Sequence, residues 1–523
     1  MMHMLRRAAA ALLCLLLLCT ALPAFAGQSD RDQTLQFLLG QAKVPSAANT
    51  YGDWEIFALA RAGAALPEGY YAAYLTLVER ALADNNGKLP GALSGNLRLA
   101  LALLALGQDL TSVGGYDLTA LILDTDKVCR TTVMGPTFAL LLLNNMGGNQ
   151  AAEAVYLQHL KDKQLADGGW ALSGQISDPD ATAMALQALS FYQKDKAVRA
   201  MIDGGLARLS SLQLETGGYT AWGATTSESI AQTIIALCML DIDLEDARFV
   251  KNGTNLLESL LAFRLADGSF RHTMEGGYDI MATEQAMLAL EALRREDSGK
   301  PGIYVLTDRV TVDRSFVGLP GKNPAVRVPA KTVNIPTFSD IHGLKEADAI
   351  LSLAHRGILN GMGNGKFQPQ GLLNRAQFCA MAQRALSLPT APGQHFTDVP
   401  AGEWYAASVN AAFAFGAVQG VGGGKFAPLK TITRQEAALL VSRLAAVCGM
   451  NTQRNDVAVR NVLSQFGDYQ QCADWALEGL AFCYDNGLLD DSVMNIQPTQ
   501  AVSRAEAAAM FHALLDAALL LED

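Results

Sequence analysis

Residues 167–189 read DGGWALSGQISDPDATAMALQAL, which is a glycine turn, a short polar stretch and an Ala/Leu-rich helix in succession. The same order recurs along the first half of the chain. Its clearest turns end at Trp170, Tyr219 and Phe270, which stand 49 and 51 residues apart. A period of about 40–50 residues is typical of helical hairpins that stack on their neighbours to bury an apolar face. The pattern predicts an all-α repeat over residues 27–295.

The turns and the helices that follow them also carry a family resemblance. The helix sequences DATAMALQAL at 180–189 and ATEQAMLAL at 282–290 resemble the repeats of the prenyltransferase/squalene–hopene cyclase superfamily. The resemblance implies an α/α toroid of about six hairpins around a central cavity.

Acidic and aromatic residues lie where such a toroid opens. Asp180, Glu228 and Glu284 begin three successive inner helices. The predicted cavity aromatics near them in sequence are Trp54, Trp170, Trp222 and Tyr278. We expect the inner-helix ends to ring one mouth of the cavity, which would hold a small molecule, a glycan or a protein segment.

The stretch Asp178-Pro179-Asp180 has two interpretations. It keeps two carboxylates of the DXDD motif of terpene cyclases, which the resemblance implies as a proton donor, and it lacks the last. Asp178 also suits a helix N-cap, Pro179 the first helical position, and Asp180 the first turn. Asp180, Glu228 and Glu284 are therefore catalytic candidates only, and the sequence leans away from an enzyme.

A second repeat occupies the C-terminal part of the chain. Its three copies open at Phe338, Phe396 and Phe466, and each reaches an Arg 37 or 38 residues later. These arginines, Arg375, Arg434 and Arg504, each follow the first residue of a helix-capping box. A cation at the first helical position opposes the helix dipole. An Arg beside exposed helix N–H groups instead favours an anion site.

The copies resemble the S-layer homology (SLH) domain, with its F-x-D opening, G-x-x-x-G turn and T-R-A-E-like box. The resemblance implies a pseudo-threefold helical trimer, spanning 337–390, 391–450 and 461–523, whose grooves bind pyruvylated secondary cell-wall polymer. It also implies three groups of binding residues. The arginines would meet the acidic ketal, Asp340, Asp398 and Asp468 would contact sugar hydroxyls or brace the groove, and Trp404 and Trp475 would stack on sugar. Close backbone approach to the glycan is implied for Gly361, Gly363, Gly420 and Gly422.

Two copies depart from the family pattern. Lys345 takes the place of Trp in copy one. Copy three reads Leu488-Leu489-Asp490-Asp491-Ser492 where the glycines belong. We therefore expect copy two to carry the tightest site and copy three to bind weakly.

The remaining segments set location and partners. Residues 1–26 read as a secretory signal peptide, with Arg6 and Arg7 before an apolar run and a small-residue cleavage site at Ala26. That run is too short for a membrane span, and no later run suits one.

The chain has 523 residues and a net charge of −11, which disfavours nucleic acid as a partner. Prolines punctuate residues 296–336, which read as a linker.

No metal-ligand spacing or cofactor motif is present in the sequence. Six cysteines follow the signal segment, and a buried, unpaired role suits most of them. Only Cys472 and Cys483 form a local pair, and their redox state stays open.

Taken together, the sequence predicts a secreted protein of the cell wall or S-layer, held non-covalently by SLH repeats and displaying a toroid. The alternative is a wall-anchored enzyme that uses the toroid cavity, as a glycan hydrolase or lyase or as a terpene cyclase-like enzyme.

Overall fold

The computed structural model describes residues 22–47, 52–221, 223–492 and 494–521. Most of the predicted signal peptide and the predicted cavity residue Trp222 lie outside these residues. The chain divides into two compact units, one of residues 1–66 and 70–313 and the other of residues 67–69 and 314–523. None of the described helices is long and apolar enough to cross a membrane.

The first unit is a closed ring of helices. In its described residues, six inner helices pack each against the next, and the last packs against the first. They are α2 (Gly52–Ala62), α4 (Leu93–Ala105), α7 (Met134–Asn145), α9 (Pro179–Leu189), α11 (Ser227–Met239) and α13 (Ile280–Asp297). Their sequences are apolar on nearly every side because neighbouring helices cover them, as the run of buried residues from Leu99 to Ala105 in α4 illustrates. This ring confirms the predicted α/α toroid.

The outer layer covers this ring. Its helices are α1 (Leu22–Gln41), α3 (Tyr70–Asp84), α5 (Ala120–Leu123), α6 (Thr125–Cys129), α8 (Gln150–Lys163), α10 (Lys196–Leu212) and α12 (Leu256–Leu261). A 3₁₀ turn follows α9 at Ser190–Tyr192, and a two-stranded hairpin pairs β1 (Thr220–Ala221) with β2 (Ala224–Thr225).

A buried charge cluster joins the two ends of the ring. Glu291 of α13 is fully buried and accepts from Arg31 of α1 at 3.0 Å and from Arg294 at 2.5 Å. Arg295, also buried, lies 3.5 Å from Glu291 and pairs with Asp308 as well. Buried charges are tolerated only when they are paired in this way. The cluster therefore ties the first helix of the unit to its last inner helix.

The segment predicted as a linker packs against both units. Tyr304 is fully buried and stacks on Phe57 with ring centroids 5.5 Å apart, so this part belongs to the toroid. Val326 is fully buried in the second unit, where the Asn323 N–H donates to the Val447 carbonyl at 2.9 Å. The boundary between the units falls after Asp313, inside the predicted linker.

The second unit contains three helix pairs and one inserted helix among its described residues. The pairs are α14 (Ala347–His355) with α15 (Arg375–Ala385), α16 (Ala406–Ala414) with α17 (Arg434–Val447), and α19 (Leu477–Asp485) with α20 (Arg504–Ala517). The inserted helix is α18 (Asp456–Leu463), and short 3₁₀ turns lie at Tyr469–Gln471 and Asp474–Ala476.

Each copy in this unit interlocks with the next. The first helix of one copy packs on the second helix of another: α16 on α15, α19 on α17, and α14 on α20. The segments that lead into the second helices form a closed cycle of backbone hydrogen bonds. The N–H groups of Leu373, Ile432 and Val502 donate to the carbonyls of Val502, Leu373 and Ile432 at 3.0–3.1 Å. The three copies therefore form the predicted pseudo-threefold trimer.

Candidate functional site

The three aspartates of the F-x-D openings brace the loops of their own copies. Both oxygens of each carboxylate accept backbone N–H groups at 2.7–2.8 Å. The pairs of donors are Phe367 and Gln368 for Asp340, Phe426 and Ala427 for Asp398, and Ile496 and Gln497 for Asp468. The Phe367 N–H bond holds the pKa of Asp340 below its usual value. Of the two expected roles, this geometry favours bracing over direct contact with sugar.

The three arginines do not act within their own copies. Each guanidinium crosses to the loop of another copy and donates to a backbone carbonyl at 3.0 Å. Arg375 donates to Phe426, Arg434 to Ile496 and Arg504 to Phe367. Arg375 and Arg504 also lie over the rings of Phe426 and Phe367, 4.6 and 4.5 Å from the centroids. The binding residues that the sequence assigned to one copy are therefore divided between copies.

Acidic partners distinguish the arginines from one another. Arg375 pairs with Glu436 at 3.3 Å, and Arg434 pairs with Glu506 at 2.9 Å. The residue equivalent to these glutamates in copy one is Gln377. Among the described residues, Arg504 has carbonyl partners but no carboxylate partner. Arg375 and Arg434 are thus partly neutralised within the trimer, a compensation that reasoning from one copy at a time did not reveal.

The copies together build grooves, which we number by the copy that supplies the glycine loop. Groove 2 is a cavity of about 370 Å³ formed by residues 417–421, Arg375 of copy one, helix α17 and Trp475 of copy three. In groove 1 the equivalent residues are Gly361, Arg504 and Trp404. Trp404 lies two residues before α16, which packs on α15. Trp404 and Trp475 remain 60% and 52% exposed, which leaves their rings free for a ligand.

The glycines of these loops are required by the protein itself. A Cβ on Gly361 would lie 2.7 Å from the Phe338 ring, and one on Gly420 would lie 2.6 Å from the Lys425 carbonyl. Gly363 and Gly422 have φ values of 93° and 101°, which other residues rarely adopt. Loop packing therefore accounts for all four glycines without a glycan.

Groove 3 differs from the other two because an ion pair crosses it. Lys345, at the position of the missing Trp, pairs with Asp490 in the loop of copy three. This ammonium group holds the pKa of Asp490 at about 2. Lys345 and Asp490 each belong to one of the two departures from the family pattern, and the structure brings them into contact with each other.

The toroid has a cavity of about 380 Å³ at the N-terminal ends of its inner helices, and every inner helix contributes to it. Trp54, Asp180 and Glu228 line it, together with Arg98 and His272. Its floor carries a chain of amide hydrogen bonds, from Gln187 to Gln232 at 2.8 Å and from Gln232 to Gln285 at 2.9 Å. These polar groups were not recognised from the sequence because they lie inside apolar helices.

Three other predicted residues lie elsewhere. Trp170 is fully buried, and its indole N–H donates to the Leu160 carbonyl at 2.7 Å, so it is a core residue. Tyr278 is half-exposed and packs on Phe37 outside the cavity lining. Glu284 is fully buried, and burial raises its pKa to about 9. None of these three lines the described cavity, and neither carboxylate oxygen of Glu284 has a hydrogen-bond partner among the described residues.

The two acidic residues that line the cavity have different surroundings. Burial raises the pKa of Asp180 to about 7, and its Oδ1 has no hydrogen-bond partner among the described residues. Glu228 lies 2.8 Å from Nδ1 of His272 and accepts the Ser227 hydroxyl at 3.2 Å. Asp178 meanwhile caps α9 by accepting the Ala181 N–H at 2.8 Å.

The remaining reactive residues form no recognisable centre. In the described part of the chain, no group of His, Cys, Asp or Glu side chains could hold a metal ion. The six described cysteines, including Cys472 and Cys483, are free thiols.

Comparisons with known proteins agree with this geometry in the second unit. The S-layer homology domain model matches residues 337–379, 395–438 and 465–508. An amylopullulanase of Thermoanaerobacterium thermosulfurigenes is 32% identical over 183 residues, which cover 34% of this chain and 10% of that protein. The Surface-layer 125 kDa protein of Lysinibacillus sphaericus is 28% identical over 186 residues, covering 35% and 15%. The chain spans about a tenth to a sixth of the curated relatives it matches.

Solved structures match at low similarity. The unsaturated glucuronyl hydrolase of Bacillus sp. GL1 has 13% identity and a TM-score of 0.38, with 54% of this chain and 100% of that chain covered. A type II terpene cyclase from Scytonema has 15% identity and a TM-score of 0.31, with 52% and 97% covered.

The three matches of the family model show that the chain carries three S-layer homology domains. These domains indicate a cell-surface location and support anchoring to the cell wall.

Proposed function

We propose that the second unit anchors the chain non-covalently to an anionic, pyruvylated secondary cell-wall polymer through grooves 1 and 2. The observation that carries the proposal is the pairing, in these two grooves, of an exposed tryptophan with an inter-copy arginine. Trp475 and Arg375 line groove 2 together, and Trp404 and Arg504 are their equivalents in groove 1 by the pseudo-threefold relation of the copies. An indole ring provides a flat apolar surface with a polar edge, and a guanidinium group binds carboxylates with two donors.

The charge of the whole chain makes these local cations necessary. A protein with a net charge of −11 repels an anionic polymer at long range. Binding must therefore depend on short-range contacts inside grooves, where partly buried charges are less screened by salt. Groove 3 contributes little in this account, because Lys345 and Asp490 already neutralise each other across it.

Two grooves on one trimer also provide avidity. Once one groove holds the polymer, the second binds at a high effective concentration, so that two modest sites give a firm attachment. The toroid is the part that this anchor displays at the surface.

Co-sedimentation of the full chain with purified wall sacculi tests the anchor. We expect the protein to sediment with intact sacculi and to stay in the supernatant when the secondary polymer has been stripped with hydrofluoric acid. Equal sedimentation with stripped and intact sacculi would contradict the proposed polymer.

The toroid cavity supports a second candidate function, hydrolysis of a small glycan by acid–base catalysis. Its specific support is that Asp180, a partly buried acid, and Glu228, a buried acid in contact with His272, line one cavity. In this proposal Asp180 protonates the leaving oxygen as the glycosidic C–O bond breaks. Water attacks the same carbon and passes a proton to Glu228, so that one glycoside gives two hydroxyl products.

Asp180→Asn is expected to lower glycan hydrolysis at least 100-fold, because asparagine cannot supply the proton. Since only protonated Asp180 is active, the rate should fall about tenfold per pH unit above about pH 7. The measurement is the release of reducing ends from wall polysaccharide. Asp178→Asn is the matched control, because asparagine still caps α9. Equal rates for the two variants, or no release at any pH, would refute this candidate.

A further inference from the structure

Arg443 of α17 is a cation that has no counter-charge among the described residues. It is partly buried, and it makes no hydrogen bond or ion pair with any described residue. Burial lowers its pKa, since the charged form loses hydration without gaining a partner. Burying a charge is costly unless it is paired. Because Arg443 lines groove 2 and has no counter-charge among the described residues, its guanidinium is available to an anionic ligand there.

The equivalent positions of the other copies differ from Arg443. Nine residues after the box arginine, copy one has Arg384, which donates to the Ile358 carbonyl at 3.1 Å. Copy three has Ala513 at this position. Of these three equivalent positions in the described trimer, Arg443 is thus the one whose guanidinium is present and has no hydrogen-bond acceptor.

A second cavity adjoins groove 2 at this residue. It has a volume of about 680 Å³, and we call it the annex. Leu439, Arg443 and Trp475 line both cavities, so the annex continues groove 2 past the exposed indole.

Part of the lining of the annex comes from a segment inserted between copies two and three. Thr452 and Gln453 line it, and they lie between the second and third matched domains. Arg454 holds this segment in place, because its N–H donates to Glu478 at 3.0 Å and its guanidinium pairs with Asp485 at 2.8 Å. The inserted segment therefore gives the annex neutral hydrogen-bonding side chains, in a lining that also contains Arg443 and Glu478.

We propose that groove 2 and the annex form one extended site for consecutive sugars of an acidic wall polysaccharide, in which Arg443 joins Arg375 in binding the acidic substituent. The proposal rests on the anchoring function above. Trp475 packs against the sugar at the junction of the two cavities. The annex takes a neutral sugar, whose hydroxyls meet Ser442, Thr452 and Gln453, since the Glu478 carboxylate there disfavours a second acid.

The test uses the full chain and wall polysaccharide fragments of one and of three repeat units, with affinity measured by calorimetry. Arg443→Gln is expected to weaken binding of the three-unit fragment by about 10- to 100-fold, as expected for loss of a charge-assisted hydrogen bond. Arg460→Gln, which changes an exposed arginine of α18 outside the lining of both cavities, is the control and should change it less than twofold. Thr452→Trp, which fills the annex, should remove the advantage of three units over one.

The outcomes separate this inference from the anchor itself. If Arg443→Gln binds like the unaltered chain while sacculi still sediment the protein, the extended site is wrong and the anchor stands. If the unaltered chain binds neither fragments nor sacculi, the anchoring function fails. An unchanged thermal midpoint for Arg443→Gln is expected, since the side chain has no partner in the described structure to lose.

Discussion

Replacing Trp404 and Trp475 together by alanine is expected to weaken binding of the full chain to wall sacculi by roughly 1,000-fold. A tryptophan at the centre of a binding site contributes about 2 kcal/mol, which is about 30-fold in affinity. Grooves 1 and 2 each contain one such ring, and both rings are more than half exposed. Because two grooves act together, either single variant should retain measurable binding.

Sedimentation against increasing amounts of sacculi measures this loss. Leu429→Ala is the control, since Leu429 is an exposed apolar residue of the same unit at 68% exposure. It should bind as the unaltered chain does. A double tryptophan variant that binds within threefold of the unaltered chain would show that the grooves do not hold the polymer.

Replacing Glu291 by alanine is expected to lower the free energy of unfolding of the toroid by about 3–5 kcal/mol. Glu291 is fully buried and receives Arg31 and Arg294, with Arg295 at 3.5 Å. Its removal leaves these guanidinium groups short of a counter-charge inside the protein. The loss should appear as a lower urea midpoint of the toroid transition.

A surface ion pair provides the comparison for this variant. Asp203 pairs with Arg199 at 3.1 Å, and both side chains are at least half exposed. Such pairs contribute at most about 0.5 kcal/mol, so Asp203→Ala should leave the midpoint nearly unchanged. If Glu291→Ala and Asp203→Ala have equal effects, the charge cluster does not stabilise the ring.

The helical ring could be predicted from the sequence because its signal is local. Each inner helix is a short apolar run after a glycine turn, and the period of the turns sets the number of hairpins. The packed ends of the predicted linker could not be foreseen in this way. Tyr304 lies in a short apolar run after Pro301, and Val326 lies between Pro324 and Pro329, so only the tertiary structure shows which unit buries each of them.

The contacts that the groove residues make between copies could not be predicted from the sequence of a single copy. Spacing identified the arginines of the boxes, but each of them acts in another copy, and Arg375 and Arg434 meet glutamates there. The same limit applies to Lys345, whose partner Asp490 lies 145 residues away. Arg443 escaped notice because a single cation on a helix has no sequence signature until its lack of a partner is known.

The residues predicted for the toroid cavity differ in whether they line it, for a similar reason. Asp180 and Trp54 line the cavity, whereas Trp170 packs inside the wall. Aromatic residues beside glycine turns can face either way, and the sequence pattern is the same in both cases.

The affinity of the full chain for purified wall polysaccharide, before and after chemical reduction of its carboxyl groups to alcohols, tests the central claim most directly. The reduced polymer keeps its sugar rings and hydroxyls and loses only its negative charge. We predict at least a 100-fold loss of affinity on reduction, because Arg375 and Arg443 in groove 2 and Arg504 in groove 1 then face neutral groups. Equal affinity for the native and the reduced polymer would contradict the anchor proposed for this protein.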